Sequence, residues 1–202
     1  MALPRIFLLS PAHAAGRRAA TLRRPEAEFD LAVRLRAGHA TLGEVFSFVS
    51  GLYFRGKLTY ARRFAHAPAG TPGALVIATA SGLVAPDAPI GAGALDEFAA
   101  VPIDLADPRY RIPLAADCEA LAARLPERAR VVLLGSIATT KYVDLLLEVF
   151  GERLCFPAPF VGMGDMQRGA MLLRAAESGV ELPYIEALGA VRSLASGRGQ
   201  AR

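Results

Sequence analysis

Cysteine and histidine are scarce in this chain of 202 residues, with two cysteines and three histidines. Cys118 is predicted to lie in a helix and Cys155 in a strand, a placement that does not favour a disulfide and fits a reducing compartment. His13, His39 and His66 are widely separated and match no zinc-binding spacing. The sequence therefore predicts no metal site and implies no cofactor.

Long apolar runs are also lacking, because no run reaches the roughly 20 residues that a membrane-spanning helix needs. Residues 1–16 contain an apolar stretch with an A-x-A-like end, which superficially resembles a signal peptide. The apolar part is short and no proper charged leader precedes it, so we interpret it as a first strand. We expect a cytoplasmic protein that does not associate with membranes.

Charge is modest. Hydrophobic residues make up 53% of the chain and charged residues 21%, which is typical of a globular protein rather than a disordered one. We expect a single domain over residues 1–190 and a disordered basic tail over 191–202. The formal net charge of +4 is compatible with a phosphate-bearing partner but too small to indicate nucleic-acid binding by itself.

Short, almost wholly apolar segments alternate with helical patterns along the chain. Strands are predicted at 6–10, 75–79, 131–134, 153–156 and 182–187. Helices are predicted at 23–38, 42–49, 54–64, 95–100, 115–125, 140–150 and 166–178, with irregular chain at 81–93 and 101–111. This alternation predicts a three-layer, Rossmann-like α/β fold whose mainly parallel sheet of four or five strands is flanked by helices.

Small and polar residues follow the predicted strands. In open α/β sheets, ligands bind where the carboxyl ends of the strands meet the following helices. The candidate ligand-binding residues at these positions are Ser10, Ser81, Gly82, Gly135, Ser136, Thr139, Gly162 and Gly164.

The segment GSIATTKYV follows the third predicted strand. Gly135 would allow a close backbone approach, Ser136 and Thr139 offer hydroxyl groups, and Thr139 or Thr140 can cap the next helix. The free N–H groups at that helix start favour an anion, and Lys141 could add a positive charge. The segment is not a Walker A loop, and an ordinary capping turn is the alternative interpretation.

A glycine-rich turn precedes the last predicted helix. Asp165 can cap that helix after Gly162 and Gly164, and Arg168 would lie in its first turn. Gly169 sits inside the helix, where glycine costs about 1 kcal/mol relative to alanine, which indicates tight packing or the approach of a ligand. The alternative is that Asp165 only caps and Gly169 only permits helix packing.

The segment SGLYFRGKLTYARRF combines phenols with cations. Tyr53, Arg55, Lys57 and Tyr60 lie within about two helical turns. Tyrosine can stack on a nucleobase, while arginine and lysine can hold phosphate. The alternative is that the aromatic residues belong to the core and the arginines to a solvated face.

Candidates for acid–base chemistry are few. His13 follows Ser10 by three residues, but no G-x-S-x-G elbow is present, so the pair does not indicate a hydrolase nucleophile. We include His13 as a catalytic candidate, with an ordinary surface histidine as the alternative. Asp165 and Asp87 are the acidic candidates, although no pair of carboxylates has a spacing that identifies an acid and a base.

Five segments together resemble an uncharacterised family of bacterial α/β proteins of this length: FLLSPAH, SGLYFRGKLTYARRFA, IATASGLVAPDAPI, VVLLGSIATTKYV and FPAPFVGMGDMQRGAMLLR. More remotely, their order is similar to a phage and bacterial domain of unknown function, in which a strand ending in Gly-x-x-Tyr parallels Lys141-Tyr142. Tyr142 therefore joins the ligand-binding candidates. The LSPA and SGLV motifs also resemble YaaA-like peroxide-stress proteins, which bind DNA, although this chain is shorter and lacks their basic bulk.

Taken together, these residues predict an enzyme that acts on a nucleotide or nucleoside at an N-glycosidic or phosphate bond, as a hydrolase or glycosyl transferase. The expected partner is a phosphate-bearing small molecule. Lys141 and Arg168 would hold phosphate, Tyr53 would stack on a base, and Asp165 or Asp87 would act as acid or base. The alternative is a non-catalytic protein that binds nucleic acid or serves a stress response.

Overall fold

The computed structural model describes residues 3–138 and 140–190. Thr139 and the predicted tail at 191–202 lie outside the described residues. The strands are β1 (Arg5–Leu9), β2 (Ala40–Thr41), β3 (Ala74–Ala78), β4 (Gly82–Val84), β5 (Pro89–Ile90), β6 (Arg130–Leu134), β7 (Leu154–Pro157) and β8 (Tyr184–Glu186). The helices are α1 (Arg17–Arg23), α2 (Asp30–Arg36), α3 (Leu42–Ser50), α4 (Leu52–Phe64), α5 (Ala92–Ala100), α6 (Pro108–Arg124), α7 (Val143–Phe150) and α8 (Asp165–Ser178).

The central sheet has six strands in the order β4-β3-β1-β6-β7-β8. Its inner strands β3, β1, β6 and β7 are parallel and nearly all of their residues are buried, as expected for strands covered on both faces. The edge strands β4 and β8 are antiparallel to their neighbours. The prediction of a mainly parallel sheet is confirmed. The predicted count of four or five strands is wrong, because the chain after β3 folds back as β4.

The direction of strand addition reverses at β1. The chain passes from β1 to β3 on one side, then crosses to β6 on the other side and continues to β7. Because such crossovers are right-handed, the two directions place their helices on opposite faces of the sheet. In agreement with this, α4 packs against α8 while α6 packs against α7. The carboxyl ends of β1 and β6 therefore flank the reversal, where open α/β sheets form their ligand crevice.

Two predicted segments differ from the structure in the first half of the chain. The helix predicted at 23–38 is instead two short helices, α1 and α2, since Pro25 holds Arg24 in an extended conformation that ends α1. The region predicted as irregular at 81–93 contains β4 and β5. Both errors come from short elements, whose hydrophobic pattern is too brief to show a period.

The start of α6 is a further correction. We predicted irregular chain at 101–111, but α6 begins at Pro108. Asp107 caps it, because its Oδ1 accepts a hydrogen bond of 2.9 Å from the Arg109 N–H. Proline is well suited to the first helical position, where its missing N–H would have no partner. Among the helices that the structure describes, none is long and apolar enough to cross a membrane.

The contact between α4 and α8 depends on two glycines. A Cβ atom on Gly56 would lie 2.6 Å from the Gly169 carbonyl oxygen, and a Cβ on Gly169 would lie 2.8 Å from the Tyr53 Cα. Neither position has room for a side chain, so the two helices meet backbone to backbone. The predicted tight packing at Gly169 is confirmed, and it brings the amino-terminal turns of both helices to the same edge of the sheet.

Candidate functional site

A cleft of about 340 Å³ opens at the carboxyl ends of β1 and β6. Its volume falls at the lower end of the range for small-molecule sites. The cleft brings together seven of the predicted site residues: Ser10, His13, Tyr53, Ser136, Lys141, Tyr142 and Asp165. These residues come from β1, α4, the turn after β6 and the start of α8, so the predicted site is assembled from distant parts of the chain.

Lys57 lies at the floor of this cleft, with a side chain that is only 1% exposed. Its Nζ donates hydrogen bonds of 2.7 Å to the Ser10 carbonyl oxygen and 2.9 Å to the Ser10 Oγ. The same nitrogen is 4.6 Å from the ring centroid of Tyr53 and 4.9 Å from that of Phe54, within the range of cation–π attraction. Burial lowers the pKa of Lys57 from 10.5 to about 7, with the negative charge of Asp165 acting in the opposite direction.

Sequence reasoning names Lys57 only as one of several cations and misses its central position. The available signal is its spacing from Tyr53, because residues four apart share one face of a helix. That face of α4 is otherwise buried and apolar, with Phe54, Leu58 and Ala61 on it or beside it. A lysine at such a position has no path to solvent except through a cleft.

Gly135 lies where the carboxyl ends of β1 and β6 come close together. A Cβ atom at this position would lie 2.8 Å from the Ser10 Cβ and 3.0 Å from the Tyr142 hydroxyl oxygen, so only glycine fits. The Tyr142 hydroxyl accepts a hydrogen bond of 3.1 Å from the Ser136 N–H. Burial raises the pKa of Tyr142, while the contacts with Ser136 and Ser10 oppose that rise. The close approach predicted for Gly135 is confirmed.

The helix after this turn begins later than predicted. The predicted start is Thr140, but α7 begins at Val143, and no side chain among the described residues caps it. The Tyr142 side chain turns back towards the end of β6, where its hydroxyl accepts the hydrogen bond from the Ser136 N–H. Lys141 is exposed at the edge of the cleft.

Tyr53 and Arg168 meet at the contact between α4 and α8. Tyr53 is 7% exposed, and its hydroxyl group lies within hydrogen-bonding reach of Arg168. Burial raises the pKa of Tyr53, and the positive charge of Arg168 opposes that rise. Arg168 donates to the Phe160 carbonyl oxygen from Nη2 at 3.1 Å and from Nε at 3.3 Å. Its side chain is 12% exposed, so this arginine is held against the protein.

A second, smaller cavity of about 70 Å³ lies next to the cleft. Arg168, Gly135 and Gly162 all contribute to its lining. The Arg168 Nη1 lies 3.6 Å from the Asp165 Oδ1, a weak ion pair across the first turn of α8. Arg168 thus lines this second cavity and also lies close enough to Tyr53, in the cleft, to affect its pKa.

The glycine-rich turn before α8 corrects one prediction. Asp165 does not cap the helix, because α8 begins at Asp165 and Gly164 occupies the capping position. The Gly164 N–H donates a hydrogen bond of 3.2 Å to the Gln167 Oε1, which gives the N–H of the capping residue a partner. The Asp165 side chain is 70% exposed and stands at the mouth of the cleft. Gly162 has a φ of +76°, whereas Gly164 has a φ of −79°.

Two predicted site residues lie on a different surface. Arg55 belongs to α4, like Tyr53, but lines a separate groove with Glu44 and Arg62. Asp87 is exposed and forms an ion pair with Arg62. Residues two apart on a helix are rotated by about 200° about its axis, so Tyr53 and Arg55 lie on opposite faces of α4.

Ser81 and Gly82 also lie outside the lining of the cleft. Ser81 lies in the tight turn between β3 and β4, and Gly82, with a φ of +66°, is the first residue of β4. The adjacent Leu83 N–H donates a hydrogen bond of 2.8 Å to the Asp117 Oδ2 of α6. Because β4 folds back antiparallel, it carries this turn against α6.

Metal-binding geometry is absent from the described ranges, in which no group of three or more His, Cys, Asp or Glu side chains could hold an ion. Cys118 and Cys155 are both buried and free. Burial raises the pKa of the Cys118 thiol to about 12, so this group is not a reactive thiolate.

No protein-family model, curated protein sequence or solved structure matches this chain. The resemblances named from the motifs remain predictions.

Proposed function

We propose that the cleft at the ends of β1 and β6 binds a nucleotide or a nucleoside, with a phosphate-bearing small molecule as the expected ligand. We further propose that the protein is an enzyme acting on an N-glycosidic or phosphate bond of that molecule. The observation that carries the proposal is the convergence of Lys57, Ser10, Ser136 and Tyr142 on a cleft where the strand order reverses. The same reversal supports the Rossmann-like interpretation of the fold.

The charges around the cleft favour an anionic ligand. Lys57 and Lys141 line it, and Arg168 stands behind Tyr53 close enough to affect its pKa. Among the described lining residues, Asp165 is the carboxylate, and it stands exposed at the mouth. Cations that converge on a partly enclosed site attract a phosphate group more strongly than exposed cations do.

We assign the role of acid or base to Asp165 rather than to Asp87. This choice is supported by the position of Asp165 in the lining of the cleft, whereas Asp87 lies on a different surface. The Lys57 Nζ lies over the Tyr53 ring, so a ligand would contact the Tyr53 hydroxyl, beside Arg168, rather than stack on the ring.

A thermal-shift screen with nucleosides, nucleoside monophosphates and sugar phosphates tests this proposal. A ligand at a hundred times its Kd stabilises the folded state by about 2.7 kcal/mol, which for a domain of this size is a shift of several degrees. Tyr142→Phe and Lys141→Ala should reduce the shift. Asp87→Asn is the matched control and should leave it unchanged, because Asp87 lies outside the cleft.

Two results would contradict the proposal. One is the absence of any shift at millimolar concentration across the screen. The other is a DNA or RNA complex that forms at low salt and is lost steeply as salt rises, which is the signature of the nucleic-acid alternative. Arg34, Arg62 and Arg109 are each ion-paired with a carboxylate, so part of the basic excess is neutralised locally.

A further inference from the structure

We infer that Lys57 is a nucleophilic amine that condenses with the carbonyl group of a phosphate-bearing open-chain sugar to form an imine. This inference rests on the proposed function, because it requires that the cleft is the ligand site. It adds the class of substrate and the atom that reacts with it. The substrate is the open-chain form of the sugar phosphate that hydrolysis of a nucleotide's N-glycosidic bond would release, and the reacting atom is the Lys57 Nζ.

The surroundings of Lys57 differ from those of a structural lysine. Fully buried lysines are rare and are ordinarily paired with a carboxylate. In the residues that the structure describes, the hydrogen-bond partners of Lys57 are two uncharged oxygens of Ser10. Asp165 acts on Lys57 only through space. A site of this kind disfavours the charged form of an amine and leaves it able to act as a nucleophile.

The composition of the chain supports the same inference. Lys and Arg together number 23, yet Lys57 and Lys141 are the only lysines in the sequence. Both of them line this cleft. An arginine would supply positive charge equally well, but a guanidinium group does not lose its proton at neutral pH, whereas an amine can. A lysine at position 57 is therefore what the amine chemistry requires.

The groups that surround Lys57 can serve the proton transfers of the reaction. The lone pair of the neutral Nζ attacks the carbonyl carbon, and the carbonyl oxygen takes up a proton to give a carbinolamine. The C–O bond then breaks, and the oxygen leaves as one water molecule with the two protons of the original amine. The Ser10 hydroxyl lies 2.9 Å from the Nζ, and the Tyr142 hydroxyl and Asp165 line the same cleft.

Reductive trapping tests the inference on the whole protein. Ribose 5-phosphate and sodium cyanoborohydride should convert the imine to a stable secondary amine. Its mass increase is that of the sugar phosphate less one oxygen atom. Ribitol 5-phosphate has no carbonyl group and should bind and compete without forming an adduct. Tryptic mapping should place the adduct on Lys57, formed about tenfold faster than on the more exposed Lys141, because an activated amine outreacts an ordinary one.

The two lysines provide matched variants. Lys57→Arg keeps a cation beside Ser10 and should abolish the trapped adduct, whereas Lys141→Arg should retain it. If Lys57→Arg does not fold, the tryptic map of the wild-type protein still shows which lysine carries the adduct. An adduct found only at Lys141 or at the amino terminus, or no adduct despite a thermal shift with ribose 5-phosphate, overturns the imine and leaves the proposed function standing. Absence of any adduct together with absence of any thermal shift overturns both.

Discussion

The substitution Gly56→Ala tests the backbone contact between α4 and α8 that assembles the cleft. The added Cβ would lie 2.6 Å from the Gly169 carbonyl oxygen and 3.1 Å from the Gly169 Cα. Both atoms belong to the backbone, so no side chain can rotate away to relieve the clash. The two helices must separate, which would shift α8 relative to Lys57.

The expected loss of stability follows from two opposing effects. Alanine favours a helix interior over glycine by about 1 kcal/mol. Overpacking in a well-packed contact costs about 1–3 kcal/mol. The clash at Gly56 should cost about 3 kcal/mol or more, because the rigid backbone of α8 cannot move aside locally. The net loss in the free energy of unfolding is therefore about 2 kcal/mol, which lowers Tm by roughly 4–8 °C for a domain of this size.

Urea unfolding and thermal melting measure this loss, and Gly93→Ala in α5 is the matched control. A Cβ at Gly93 meets no atom within 4 Å, so alanine there should be neutral or stabilise by up to about 1 kcal/mol. If Gly56→Ala proved as stable as Gly93→Ala, the close approach of α4 and α8 would be refuted. Ligand binding in the cleft should weaken in Gly56→Ala and not in the control.

Three further predictions concern the same part of the molecule. Arg168→Ala should lower the free energy of unfolding in urea by about 1–2 kcal/mol, because it removes the hydrogen bonds to the Phe160 carbonyl oxygen; wild-type stability would instead indicate a surface arginine. Lys57→Met should change the pH dependence of stability. The folded-state pKa of Lys57 is lowered to about 7, so the unfolded chain binds more protons from about pH 7 to pH 10. The wild-type free energy of unfolding should therefore rise across that window relative to the variant, by about 1.4 kcal/mol per pH unit, and parallel curves would contradict this. Gly162→Ala should cost about 1 kcal/mol because of its φ of +76°, whereas Gly164→Ala, at a φ of −79° with open space around it, should be nearly neutral in the same unfolding experiment.

The sheet could be predicted because its signal is local. The inner strands are short apolar runs, and burial on both faces demands that composition wherever the strand occurs. The cleft could be located for a related reason, since residues that follow parallel strands must gather at one edge. Ser10 and Ser136 lie in the cleft, as that argument predicts.

The errors arose where a residue's environment depends on distant chain. Arg55 and Tyr53 are neighbours on one helix, and only the packing of α4 on the sheet and on α8 decides which of them faces the cleft. Ser81 and Gly82 follow the parallel strand β3, so the strand-end rule predicts them at the cleft. The chain instead folds back there as the antiparallel strand β4, which packs these residues against α6. Helical periodicity and strand ends do not carry this information.

The sequence by itself determined the class of fold, the parallel core of the sheet and the edge at which the polar residues gather, because periodicity and composition act over a few residues at a time. The tertiary structure decided which residues form the cleft. Lys57 and Ser10 are separated by 47 residues, and their hydrogen bonds form because α4 packs against β1, while Gly56 and Gly169 let α8 approach α4 closely. The burial that sets the chemistry of the lysine is a property of that packing, and no local pattern encodes it.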